Sequence, residues 1–139
     1  MSPSGLTVLG IKVLFSGLFE GHSGLWITDG TSAGTSELTV SGADPNGVVP
    51  SNFTVLGTKA VFGGLDAGFH RYLWVTDGTS GGTSELTVAG AYSFGLFDFS
   101  DVSTANLTPF GSKALLDGVD ASGNIGLWVT DGTAAGTTS

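Results

Sequence analysis

The sequence predicts an all-β chain built from three tandem four-stranded antiparallel units, with the third unit short of its last strand. Three observations lead there. The stretch Leu25-Trp26-Ile27-Thr28-Asp29-Gly30-Thr31-Ser32-Ala33-Gly34-Thr35 returns as residues 73–83 and as 127–137, with eight of its eleven positions identical in all three copies. Self-similarity at this period marks a repeat architecture. No segment has helical periodicity, and the apolar runs are short, rich in β-branched and aromatic residues, and bounded by Gly, Pro and Asp. The units span approximately residues 5–52, 53–106 and 107–139 of a single repeat domain, 1–139.

The first strand of the unit, Leu6 to Leu9, passes through a Gly-x-Lys turn into the second, Lys12 to Phe15, and the pair reads as a hairpin. The same segment returns as Phe53 to Lys59 and as Leu107 to Lys113. The third strand, Leu25 to Thr28, runs into Asp29-Gly30, a dipeptide suited to the positive φ of a tight turn, and Gly34 offers a second such position. In the fourth, Ser36 to Val40, alternation sets Leu38 and Val40 on one face and Glu37 and Thr39 on the other, the pattern of a half-buried strand. The connector Ser41 to Asn52 carries Gly42, Pro45, Gly47 and Pro50 and is long enough to cross to the next sheet. Trp26 and Trp74 are 48 residues apart, Trp74 and Trp128 54 apart, and the excess lies in the connector Ala91 to Asn106, where repeats tolerate insertion. The third copy reaches only Thr138-Ser139 where the first has Ser36 to Val40. That makes eleven strands and an outer edge that another chain could complete.

At its Leu-Trp-x-Thr-Asp-Gly-Thr-x-x-Gly-Thr segments the chain resembles the bacterial ELWxxDGT repeat family, whose units are strung along large, often secreted proteins. The resemblance covers all three copies and implies that each unit is propeller-blade-like. The Asp-Gly-Thr turn also resembles the Asp-box of sialidase-like propellers, a structural motif. The chain departs from the family pattern at Gly24, Tyr72 and Gly126, where Glu is usual, and at Glu37-Leu38-Thr39-Val40, which replaces a basic and acidic tail. Propellers use four or more blades, so three imply completion by oligomerisation, two chains making a six-bladed ring. A β-trefoil or β-prism, closed within a monomer, is the alternative of the same size. The resemblance points to an extracellular or cell-surface setting, although Met1 to Gly5 lacks the basic region that opens a signal peptide.

Composition narrows the partners. Twelve carboxylates against four basic residues give a net charge of -8, which repels nucleic acid and anionic lipid. The absence of cysteine removes disulfides and thiolate chemistry and fits either redox compartment. No apolar stretch is long enough to span a bilayer as a helix. No cofactor is expected, and no nucleophile motif or phosphate loop is present, so the chain reads as non-catalytic. Carboxylate pairs such as Asp98 with Asp101 or Asp117 with Asp120 could in principle serve a glycosidase, but they stand in places where Asp is common anyway.

The candidate binding residues come from the repeat. Trp26, Trp74 and Trp128 could stack on sugar rings, against which stands their use as the repeated core residue. Four residues before each tryptophan stand His22, His70 and Asn124, expected in the loop between strands two and three, either as ligand contacts or as turn residues tolerant of αL geometry. Arg71 and Tyr72, with Phe69, are unique to the second copy and suggest an exposed cationic and aromatic spot. Asp29, Asp77 and Asp131 read as structural turn residues, since one carboxylate per turn falls short of a calcium shell. Lys12, Lys59 and Lys113 read as solvated turn residues. The expected function is a lectin-like or surface-ligand-binding repeat module acting as a homo-oligomer, a dimer above all, with a glycan as possible ligand. The alternative is a structural, self-assembling protein that adds strands at the open third unit.

Overall fold

The computed structural model describes residues 1–93, 95–97 and 107–139. Among these there is no helix, and eleven strands form three separate antiparallel sheets. The first sheet holds β1 (Ser2–Leu9), β2 (Lys12–Phe19), β3 (His22–Thr28) and β4 (Ser36–Glu37) in that order. The second repeats the order with β5 (Ser51–Leu56), β6 (Lys59–Leu65), β7 (Arg71–Thr76) and β8 (Ser84–Glu85). The third has β9 (Thr108–Phe110), β10 (Lys113–Val119) and β11 (Ile125–Thr130). Three blade-like meanders are thus as the repeat predicts, and the sheets do not close into the barrel of a trefoil. Each apolar core joins consecutive units only, so the threefold closure of a prism is not formed either.

The hairpins follow the turn chemistry. Gly10, Gly57 and Gly111 take the positive φ at the first turn of each unit (62°, 65° and 63°), which a side chain would strain. The second and third strands run further than their apolar residues suggest, because the ladder continues outward through Phe19 and His22. The fourth strand is shorter than expected. Only Ser36 and Glu37 pair with β3, and the chain then turns Leu38 into the core, its N–H donating to the Leu25 carbonyl at 2.8 Å. In the third unit one bridge, Val129 to Thr138, stands where this strand begins.

The middle sheet is buried on both faces, each outer sheet on the face toward it, and the two faces of a sheet carry different residues. The face toward the following unit, the front, is aliphatic: Leu9, Leu14, Leu25 and Ile27 in the first unit, Leu56, Val61, Leu73 and Val75 in the second. The back sets an alanine beside a large side chain and the tryptophan: Ala60, Phe62 and Trp74 in the second unit, Ala114, Leu116 and Trp128 in the third. Period-two alternation delivers both sets from the same strands. The return loop then clamps the joint. Leu65 N–H donates to the Val48 carbonyl, Asp44 N–H to the Leu65 carbonyl, and Ala67 N–H to the Gly42 carbonyl (2.7, 3.2 and 2.8 Å). At the second joint Val119, Tyr92 and Ala121 N–H make the equivalent bonds to Leu96, Val119 and Gly90 (2.7, 2.9 and 2.8 Å).

Candidate functional site

The Asp-Gly-Thr turn is a hydrogen-bonded knot built identically three times. In the first copy Asp29 Oδ1 accepts from Thr31 N–H at 2.9 Å and Thr31 Oγ1 at 2.6 Å, while Thr31 Oγ1 accepts from Gly34 N–H at 2.9 Å. Thr35 Oγ1 donates to the Thr31 carbonyl, so it can only accept from Thr28 Oγ1, which in turn accepts from Gly30 N–H. The same bonds recur around Asp77 and Asp131. Donation from the threonine hydroxyl, then from the threonine N–H, holds all three carboxyls below their usual pKa. A Cβ on Gly34, Gly82 or Gly136 would lie 2.0 Å from the carboxylate, so the second glycine of the motif makes room for the aspartate rather than supplying a positive φ. In each copy the aspartate Oδ1 and the threonine hydroxyls are taken up by bonds within the knot.

The tryptophans face inward. Trp74 and Trp128 are fully buried between units, stacked respectively on Phe62 and against Leu116, and only Trp26 is partly exposed. Each indole lies across a glycine of the neighbouring strand, Gly17, Gly64 or Gly118, where a Cβ would come within 2.6–2.9 Å of Trp Cδ1. Each Nε1 is buried with no hydrogen-bond partner among the described residues. Sugar stacking by Trp74 and Trp128 is therefore corrected to core packing. Arg71 is likewise not an exposed cation: it is buried, its Nη2 donates to Ser51 Oγ at 2.8 Å, and burial lowers its pKa. Of the second-copy spot only Phe69 is exposed, at a φ of 65°.

The residues four before tryptophan divide by loop length. His22 lies within β3, where Glu20-Gly21 makes a two-residue turn. In the other units a longer loop is capped by aspartate: Asp66 Oδ1 accepts from Gly68 and His70 N–H, and Asp120 Oδ1 from Ser122 and Asn124 N–H. His70 Nδ1 and Asn124 Nδ2 each approach the other carboxylate oxygen at 3.3 Å. The positive φ belongs to Phe69 and Gly123, so αL tolerance is not the reason for His and Asn. Asp120, half of one carboxylate pair, is this cap, its pKa lowered first by the Asn124 N–H. Asp98 and Asp101 lie outside the described residues.

A cleft does exist in the first unit. It has a volume of about 560 Å³ and lies between β3 and the return loop, with Leu25, Leu38 and Val48 among its apolar walls and His22, Glu37 and Asp44 among its polar ones. That is within the size of a small-molecule site. Glu37 stands opposite Trp26 across the ladder, and its side chain lies back over Gly24 to meet His22 Nε2 through Oε1. A Cβ at Gly24 would be 2.1 Å from that oxygen. In the second unit the position of Gly24 is Tyr72, whose hydroxyl donates to the carbonyls of Tyr92 and Ser93, at 3.3 and 3.0 Å, on the return loop. The ring thus spans the space that is open in the first unit. Burial raises the pKa of Tyr72 and of Glu85, the counterpart of Glu37. Sequence reasoning missed Glu37 and Gly24 as site residues. The signal was the exchange of Gly24 for Tyr72 in an otherwise repeated frame.

Among the described residues no group of three His, Cys, Asp or Glu side chains could hold a metal ion. Among the described residues no helix is long and apolar enough to cross a membrane. Comparison with protein-family models, with curated proteins and with solved structures finds no match.

Proposed function

We propose that this chain is a non-catalytic binding module of the ELWxxDGT repeat kind that holds a small polyhydroxylated ligand, a sugar residue of a glycan, in the first-unit cleft. The observation that carries this is the cleft itself, open over Gly24 and filled by Tyr72 in the next unit. Its chemistry suits hydroxyls: the Glu37 carboxylate accepts, the His22 ring can donate or accept according to tautomer, and Val40, Ala43 and Pro45 offer accessible apolar surface to ring carbons. One chain offers this cleft at its first unit, so avidity depends on bringing chains together, and the module acts as a homo-oligomer, two chains completing a six-unit ring.

The test is a glycan array followed by calorimetry on the best ligand. Gly24→Tyr, which copies the second unit, should abolish binding by tenfold or more while leaving the unfolding temperature close to that of the parent. A folded parent that binds no glycan at any density refutes the reading. A second reading, assembly by strand addition at β11, is favoured by the single bridge that stands in for a fourth strand there.

A further inference from the structure

We infer that the front face of the third unit packs on the back face of the first unit of a second copy of this chain. This rests on the proposed homo-oligomer and assigns the surfaces that make it. The two internal joints are made by the same positions twice over, and the two free faces are the separated halves of a third such joint.

On the third unit, Phe110 and Leu127 are 71% and 64% exposed. At the matching positions Leu9, Leu56, Leu25 and Leu73 are buried under the following unit. Leu115 and Val129 are partly exposed where Leu14, Val61, Ile27 and Val75 are buried. On the first unit, Leu6 and Val8 are 68% and 66% exposed, whereas their counterparts Phe53 and Val55 pack into the first core. A Cβ on Gly30 would meet nothing within 4 Å. At Gly78 it would meet Ile27 Cδ1 of the preceding unit at 2.9 Å, and at Gly132 it would meet Leu56 and Val61 at 3.9 Å.

One residue makes the fit better than the repeat alone. Over Gly64 and Gly118 the indole is accompanied by a side chain of the preceding return loop, Val48 and Leu96. Over Gly17 that place is taken by Met1, whose Sδ would lie 2.9 Å from a Cβ there. The back of the first unit therefore already carries the loop's contribution and leaves free the strand surface that a preceding front face covers. A front face docking on a back face is a heterologous contact, which closes into a ring or extends as a polymer.

The test uses two variants at exposed positions, Leu127→Glu on the front and Val8→Glu on the back, with mass measured by sedimentation equilibrium. The parent should have at least twice the 13.9 kDa chain mass, and each variant alone should fall to one chain. Mixing the two variants should restore association, because one untouched front then meets one untouched back. A parent that is monomeric at every concentration overturns the oligomer reading itself. A parent that associates while Val8→Glu remains associated overturns only the front-to-back assignment. Circular dichroism of both variants confirms that a lost assembly is not a lost fold.

Discussion

Alanine at each of the three repeated tryptophans should cost unequal amounts, although the local sequence around them is nearly the same. Full burial of an indole removes about 200 Å² from water, worth roughly 5 kcal/mol at about 25 cal/mol per Å². Measured large-to-small changes of this kind cost about 3–5 kcal/mol, because the walls collapse only in part. Trp74 and Trp128 meet this condition, each walled by the aliphatic front of the preceding unit. Trp26 rests on Phe15, at a ring separation of 6.2 Å, and on Gly17, but is partly exposed and its outer side can fill with water. Its loss should cost about 2 kcal/mol. At about 2–4 °C per kcal/mol for a chain near this size, Trp74→Ala and Trp128→Ala should melt roughly 2–12 °C below Trp26→Ala. The measurement is calorimetry in the Val8→Glu background, which keeps the first back face free. Three equal losses would refute the argument that burial comes from the preceding unit.

Trp74→Phe should cost less than alanine does, about 1–2 kcal/mol by urea unfolding, since it removes an indole N–H that has no described partner along with part of the ring. Gly82→Ala should destabilise by about 1–3 kcal/mol, because the new methyl displaces the Asp77 carboxylate from both Thr79 donors; Gly81→Ala, beside it and meeting nothing within 4 Å, is the control. Acid should weaken the fold through the same turns. The folded pKa of Asp29, Asp77 and Asp131 is lowered, so their contribution is present above the usual carboxylate value and lost as pH falls through the folded one. The triple Asn variant should show a flatter urea midpoint between about pH 5 and pH 2. Glu85 has the opposite sign: its raised pKa favours the fold at low pH and opposes it as pH rises past the folded value, so Glu85→Gln should raise the melting temperature at neutral pH.

The repeat, the hairpins and the three-sheet architecture are legible in the sequence because turn chemistry and period-two alternation are local. What is not legible is which neighbour a side chain meets. Leu38 and Val40 alternate as a strand should, yet only Ser36 and Glu37 keep a ladder partner, because the joint between units draws Leu38 inward. Trp26, Trp74 and Trp128 look alike in sequence, and their different burial depends on what lies behind each sheet. His22 and His70 share a spacing to tryptophan but meet different carboxylates, Glu37 across the sheet and Asp66 four residues back. One residue of loop length makes that difference. The cleft is written only in the contrast between copies, where Gly24 against Tyr72 marks space against its absence.

The unlike faces of each sheet give the array a direction. A unit whose front fits any back can be duplicated, deleted or exchanged without a new junction being invented, because the joint is specified inside the unit and not between particular pairs. Copy number is then free to vary while the packing chemistry stays constant. A change confined to one copy, as at Tyr72, alters a single position along the row and leaves every joint in register.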